Sequence, residues 1–196
     1  MVDFLINILS LLTILLDVFI LGVILLWGSS YFYQPSKNWL NRFIELLDSK
    51  EILLGFIIAL VATSGSLFYS EIASYTPCEL CWYQRILMYP QVLILGMAMW
   101  KKDKNIADYS ILLSILGGII ATYHYIIQFV ETKIVPCSAV GYSVSCSDNF
   151  VLDYGYITIP MMALSAFVAI IILMLFLKFN SNKGFLDNLM KKITGK

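Results

Sequence analysis

Five long apolar runs constrain the fold of this 196-residue chain more than any other feature of its sequence. A helix crosses the ~30 Å hydrocarbon core of a bilayer with about 20 largely apolar residues. Hydrophobic residues make up 60% of the chain and charged residues 13%, whereas soluble domains have roughly 45–50% and ~25%. We therefore expect an all-α integral membrane protein that is surrounded by membrane lipid and binds no nucleic acid. The runs are Val2–Trp27, Ile52–Ser70, Ile86–Trp100, Ile106–Val130 and Ile157–Phe179.

The first run carries an acidic residue near its middle, Asp17. A charge exposed to hydrocarbon is costly, so we expect this face of the helix to turn toward protein, or the carboxyl group to be protonated. The N-terminus lacks the basic region of a signal peptide, and we expect the run to form a transmembrane helix. A helix lying on the membrane surface is the alternative.

The basic residues predict the orientation of the helices. Eleven of the thirteen Lys and Arg residues lie between runs one and two, between runs three and four, or at and beyond the end of run five. Only Arg85 and Lys133 lie in the other connections. Because cytoplasmic loops are rich in Lys and Arg, the C-terminus is predicted to be cytoplasmic. The same assignment puts all four cysteines on the extracytoplasmic side, where disulfides persist.

A helix start precedes the third run. Thr76 is a good N-cap residue, Pro77 suits the first helical position, and Glu79 stands where a capping box has its acid. The helix is predicted to begin here and to continue to Trp100. Cys78 would then lie in the first turn, where the helix dipole favours a thiolate.

The cysteine pair at this helix start has a cation on the same face. Cys78, Cys81 and Arg85 are spaced i, i+3 and i+7, so they share one side of a helix. An arginine one turn below a C-x-x-C pair can stabilise negative charge on sulfur or on a group bound beside it. An ordinary interfacial arginine is the simpler alternative.

The second cysteine pair, Cys137 and Cys146, lies in the long connection from about Glu131 to Tyr156. Three kinds of chemistry are open to the four cysteines: a zinc site, two structural disulfides, or thiol–disulfide exchange coupled to an acceptor in the membrane. Zinc favours two close pairs, and no histidine lies in either cysteine-bearing connection. A C-x-x-C disulfide closes a very small loop, so it constrains the unfolded chain little and is easily reduced. These features favour exchange.

The sequence around the first pair resembles a family signature. The segment Thr76-Pro77-Cys78-Glu79-Leu80-Cys81-Trp82-Tyr83-Gln84-Arg85-Ile86 is similar to that of the DsbB family of membrane disulfide oxidases, especially its short BdbC-type members. The resemblance covers roughly Ile52 to Phe179. It implies a four-helix transmembrane bundle, here preceded by an extra N-terminal transmembrane helix. Further matching segments are Tyr123-His124, Val135-Pro136-Cys137-Ser138 and Ile157-Thr158-Ile159-Pro160.

The resemblance implies a role for each cysteine and the disulfides Cys78–Cys81 and Cys137–Cys146. A reduced thioredoxin-fold partner of the DsbA type would attack Cys137, and the released Cys146 would attack Cys78. Cys81 would then pass electrons to a quinone. The chain would be a thiol:quinone oxidoreductase of a bacterial cytoplasmic membrane that feeds the respiratory quinone pool.

Three residues near the first cysteine pair or in the fourth run are predicted to bind the cofactor, and no metal is expected. Arg85 and His124 would contact the quinone, which would be ubiquinone or menaquinone, and Gln84 would hydrogen-bond one of its carbonyl groups. His124 is the only histidine and could shuttle protons near neutral pH. A packing role is the simpler alternative for this residue.

The chain is predicted to have four segments. They are an extra N-terminal helix (residues 1–30), an inner-surface amphipathic connector (31–51), a four-helix core with two extracytoplasmic redox loops (52–180) and a cytoplasmic basic tail (181–196). Two other functions stay open. One is a vitamin-K-epoxide-reductase-like enzyme, although that family usually places its loop cysteines before the C-x-x-C. The other is a non-catalytic metal-binding or scaffold subunit.

Overall fold

Five α-helices account for most of the residues that the structure, a computed structural model, describes. These residues are 2–32, 50–129, 145–147 and 150–194, with isolated positions between 39 and 47. Within them the chain forms no β-strand, only one antiparallel bridge between Asp153 and Ile157. The helices are α1 (Val2–Phe32), α2 (Glu51–Leu67, continued by the π-helical turn Phe68–Ile72), α3 (Glu79–Lys101), α4 (Ile106–Phe129) and α5 (Ile159–Thr194).

The prediction of an all-α membrane protein is confirmed. Four helical segments among the described residues are long and apolar enough to cross a bilayer: Val2–Ser29, Glu51–Ile72, Ile106–Phe129 and Ile159–Ser181. The third predicted span is less apolar because the first two turns of α3 carry Glu79, Gln84 and Arg85. Its apolar part is Ile86–Trp100, which follows the cysteine pair.

The core of the bundle lies where α5 packs against α2, α3 and α4. Phe167 of α5 is fully buried there. Its ring occupies the space beside Gly117 of α4, where a Cβ atom would come within 2.2 Å of the ring. Glycine at position 117 therefore permits the close approach of α4 and α5, a common use of small residues in membrane bundles.

A buried polar cluster joins α3 to α4. Gln91 is fully buried, and its Oε1 atom accepts hydrogen bonds from Ser110 (2.7 Å) and Ser114 (3.2 Å). Its amide nitrogen donates to the backbone carbonyl of Leu87. Each polar group of this glutamine is thus satisfied within the bundle, as an apolar surrounding requires.

The N-terminal helix α1 packs against α5. The carboxylate of Asp17 accepts hydrogen bonds from Ser165 (2.5 Å) and from the hydroxyl of Tyr156 (3.4 Å). Ser10, about two helical turns earlier on the same face, donates to the carboxylate of Asp153. The prediction that the Asp17 face turns toward protein is confirmed.

The predicted start of the third helix is wrong by two residues. Cys78, not Thr76, is the N-cap, and Glu79 is the first helical residue. The preceding residues run extended after Ser74, which has a positive φ of 57°. Along this path the ring of Tyr75 stacks on that of Tyr69, with centroids 6.0 Å apart. The Cys78 sulfur rather than the Thr76 hydroxyl accepts an N–H of the first turn.

The structure describes only parts of two predicted segments. The helix α5 continues to Thr194, so residues 181–194 of the predicted tail are helical, and their cytoplasmic location stays a prediction. Most of the predicted amphipathic connector, residues 31–51, lies outside the described residues. Within it, Ile44 is buried and its carbonyl accepts a hydrogen bond from Asn180.

Candidate functional site

The first cysteine pair forms the cap of α3. The Cys78 sulfur accepts a hydrogen bond from the backbone N–H of Cys81 at 3.3 Å, which is the usual geometry of an N-cap side chain. The two sulfur atoms are 2.7 Å apart and both residues are free thiols in this structure. Cys78 is buried, whereas Cys81 is partly exposed. The end of the bundle at which this pair lies is here called the cysteine end.

The electrostatics of the pair favour a thiolate at Cys81. The hydrogen bond from the Cys78 thiol lowers the pKa of Cys81 against the opposing effect of burial, and the charge of Arg85 lowers it further. The same hydrogen bond, together with burial, raises the pKa of Cys78. The sequence predicted the thiolate-favouring position for Cys78. That prediction is corrected because α3 begins one residue after Cys78, so Cys81 occupies the first turn.

His124 of α4 lies directly beside the pair. Its Nε2 atom is 3.6 Å from the Cys78 sulfur, and its Nδ1 atom is 2.9 Å from the amide nitrogen of Gln84. An amide nitrogen donates, so Nδ1 accepts and the ring proton of the neutral form sits on Nε2, facing sulfur. The backbone of Cys146 also hydrogen-bonds this ring.

Arg85 is anchored between α2 and α3. Its Nε atom donates to the Ser66 hydroxyl at 3.0 Å, and a terminal nitrogen donates to the Ser66 carbonyl at 3.1 Å. The guanidinium also lies over the ring of Trp82, with its carbon 5.2 Å from the ring centroid, and Tyr89 donates to the same Ser66 hydroxyl. Sequence reasoning missed Ser66, because one serine in an apolar run carries no signal of its partner.

A cavity of about 300 Å³ opens beside these residues. Apolar side chains form most of its lining, and polar groups gather at the cysteine end. The cavity brings together five of the seven site residues predicted from the sequence: Cys78, Cys81, Gln84, Arg85 and His124. Its walls come from α1 and α2 as well as from α3, α4 and α5.

The second cysteine pair is described only in part. Cys146 is buried and disulfide-bonded, and its neighbour Ser145 lines the cavity. This places Cys146 at the cysteine end, next to His124. Cys137 lies outside the described residues, so the Cys137–Cys146 pairing and the role of Cys137 stay predictions.

Three atoms that could bind a metal ion also meet at this site. The sulfur atoms of Cys78 and Cys81 and a ring nitrogen of His124 all lie within 4.8 Å of one another. Cysteine sulfur and imidazole nitrogen are common zinc ligands. The cysteine-bearing connections contain no histidine, but the fold brings one from α4 to the cysteine pair. The absence of a metal therefore stays a prediction.

Known proteins resemble most of this chain. Residues 49–177 match the family described as Disulfide bond formation protein DsbB. Disulfide bond formation protein C of Bacillus subtilis (strain 168) is 47% identical over 140 residues, which cover 70% of this chain and 95% of that protein. A probable disulfide formation protein of Oceanobacillus iheyensis is 48% identical over 122 residues, 62% of this chain and 84% of its own length. No solved structure matches the chain.

The family match covers α2, α3 and α4, with both cysteine pairs and the first half of α5, and leaves α1 outside. The residues of the C-x-x-C site therefore all lie inside the matched region, in a bundle of the predicted kind. This chain belongs to the DsbB family of disulfide bond formation proteins.

Proposed function

We propose that this protein is a quinone-dependent disulfide oxidase that reoxidises a DsbA-like thioredoxin-fold protein. Its membrane is the bacterial cytoplasmic membrane, with the cysteine end on the extracytoplasmic side. The observation that carries the proposal is the position of the C-x-x-C pair at the mouth of an apolar cavity. A redox pair on the protein surface would serve soluble partners alone, whereas this pair also faces a space suited to a lipophilic acceptor.

The volume and the lining of the cavity support a quinone as the acceptor. Its volume of about 300 Å³ lies at the lower end of the range for small-molecule pockets, roughly 300–1,000 Å³. An apolar lining suits the ring, and Arg85 and Gln84 can donate hydrogen bonds to its oxygen atoms. A bound quinone supplies an acceptor for two electrons and two protons. The residues that would hold it are Arg85, Gln84 and His124.

The electrons enter through the second pair. A thiolate of the partner attacks the sulfur of Cys137, which forms a mixed disulfide and releases Cys146 as a thiolate. The second thiol of the partner then displaces Cys137, so the partner leaves with a disulfide. Two thiols of the partner are oxidised and two thiols of this chain are produced, which balances the exchange.

The electrons leave through the first pair. The Cys146 thiolate attacks Cys78 of the Cys78–Cys81 disulfide, and Cys81 departs as a thiolate. The Cys137 thiolate then attacks Cys146, which re-forms the second disulfide and releases Cys78, so the first pair now holds the two electrons.

The low pKa of Cys81 makes it the better leaving group of the pair. Arg85 stabilises the negative charge on Cys81. The proton on Nε2 of His124 faces Cys78, so the imidazole can hold a proton at that sulfur.

Two cysteine variants test this route by separating its input from its output. Oxidation of the reduced thioredoxin-fold partner and loss of quinone absorbance are followed together without oxygen. Cys146→Ser should abolish quinone reduction driven by the partner but retain reduction driven by dithiothreitol, because a small dithiol reaches the first pair directly. Cys81→Ser should abolish both. Normal quinone reduction by Cys81→Ser would rule out the proposal.

The cluster of Cys78, Cys81 and His124 favours one second candidate, a soft-metal site. Metal analysis of the purified protein and thiol trapping separate the two functions. The proposed oxidase should contain much less than one zinc per chain and keep its thiols reactive. One bound zinc per chain that shields Cys78 and Cys81 from alkylation would favour the metal site instead.

A further inference from the structure

The helix α1 forms one wall of the cavity although it lies outside the residues that match the family. Leu9, Leu12, Thr13 and Leu16 contribute to the lining. These positions span about 10 Å along the helix at 1.5 Å per residue. The cavity therefore extends well into the apolar part of the bundle, away from the cysteine end.

Polar contacts hold α1 on its α5 side. Ser10 donates a hydrogen bond to Asp153. Asp17 accepts hydrogen bonds from Ser165 and Tyr156. Hydrogen bonds of this kind fix the position of a helix where the surroundings are apolar. The side of α1 that faces α2 has none of these contacts among the described residues, and the cavity opens there.

The approach of α1 to α2 is close at the cysteine end. A Cβ atom at Gly65 would lie 3.3 Å from a methyl carbon of Leu9. Deeper along the two helices, Leu12 and Val61 both line the cavity and are 44% and 39% exposed. Side chains that line a cavity and also face outward mark an opening. In a membrane this opening faces the hydrocarbon tails of the lipids.

We propose that the gap between α1 and α2 is a lateral portal that admits a long-chain quinone from the bilayer and holds its isoprenoid tail. This inference rests on the proposed function. The ring would lie beside Cys81 and Arg85 at the cysteine end, and the tail would lie between Leu12 and Val61. In this chain, α1 thereby becomes a determinant of which quinones are used.

The test compares a portal residue with a lipid-facing residue of the same type on the same helix. Leu12→Trp fills the opening, whereas Leu15→Trp adds the same bulk at a position that is 58% exposed and lies outside the lining. Both variants are assayed as full chains with a long-chain quinone and with a quinone that lacks a tail. Leu12→Trp should lower the kcat/KM ratio of long-chain to tail-less quinone by about tenfold. Leu15→Trp should leave the ratio at the wild-type value.

Photolabelling gives a second readout that needs no variant. A long-chain quinone with a photoreactive group on its tail should label the α1 peptide that contains Leu12, and unlabelled quinone should compete. Two results would overturn the portal and leave the proposed function standing, provided that the protein still reduces quinone. One is a kcat/KM ratio of long-chain to tail-less quinone that is unchanged in Leu12→Trp, and the other is label confined to α2–α5. Failure of the wild-type protein to reduce either quinone would overturn the proposed function, and the portal with it.

Discussion

At the scale of single residues, the site depends on two side chains that orient others. Ser66 holds Arg85 by two hydrogen bonds, and Gln84 orients His124 beside Cys78. The sequence predicted Arg85, Gln84 and His124 as quinone contacts. The structure places them in the cavity and also brings Gln84 and His124 together at the cysteine pair, a contact that two separate helices make and no spacing reveals.

The charge of Arg85 should add to the effect of the Cys78 hydrogen bond on the acidity of Cys81. Because Arg85 lowers the pKa of Cys81, Arg85→Gln should raise it, and less thiolate should be present at a given pH. The midpoint of Cys81 alkylation in the reduced protein should move about one pH unit higher. Arg85→Lys keeps the charge and should move the alkylation midpoint less. Identical alkylation profiles for the wild type and Arg85→Gln would contradict this account.

Gln84 should determine which nitrogen of His124 carries the proton. His124 is the only histidine, so ¹⁵N-histidine labelling of an untagged protein reports this ring alone. The neutral ring should be protonated at Nε2 in the wild type. Gln84→Glu presents an acceptor instead of a donor, so the proton should move to Nδ1. A ring that stays protonated at Nε2 in both proteins would show that Gln84 does not orient it.

At the scale of the helices, tight packing of α4 on α5 depends on Gly117. Gly117→Ala places a methyl group within 2.2 Å of the buried Phe167 ring, and overpacking of this kind costs about 1–3 kcal/mol. The thermal unfolding temperature in detergent should therefore fall. The neighbouring Gly118→Ala is the control, because its Cβ would meet ordinary contacts at 3.9 Å. Equal unfolding temperatures for the two variants would contradict this role.

The helices themselves were largely predictable, since long apolar runs have few alternatives to a membrane-spanning helix. The N-cap residue of α3 was not predictable from the sequence. Thr76 and Pro77 have good local preferences for a helix start, but the Cys78 sulfur accepts an N–H of the first turn and takes the capping role. Tyr75, before this cap, stacks on Phe150, and a contact between residues so far apart leaves no periodic pattern in the sequence.

At the scale of the whole molecule, the proposed relay runs from the connection before α5 to the helix start of α3. The predicted cysteine chemistry follows from residue spacing and family resemblance. The position of α1 could not be predicted in this way, because its contacts with Asp153 and Ser165 join residues more than 140 positions apart. The sequence predicted that the face of α1 with Asp17 turns toward protein, but it did not predict which residues Asp17 contacts.

The input end of the relay can be trapped. A thioredoxin-fold partner that lacks its second cysteine cannot resolve a mixed disulfide, so it should accumulate bound to this chain. Peptide mass spectrometry should find the link at Cys137. Cys137→Ser should abolish the complex, whereas Cys81→Ser should still form it. A link at Cys78 instead would contradict the proposed order of transfer.

The most direct test of the central claim follows a single turnover at the Cys78–Cys81 pair. The protein is reduced, freed of reductant and mixed without oxygen with one equivalent of quinone. The account predicts loss of one quinone per chain together with a disulfide between Cys78 and Cys81 by peptide mass spectrometry, and no loss for Cys81→Ser. Quinone that stays oxidised while both thiols of the wild-type protein persist would contradict the claim.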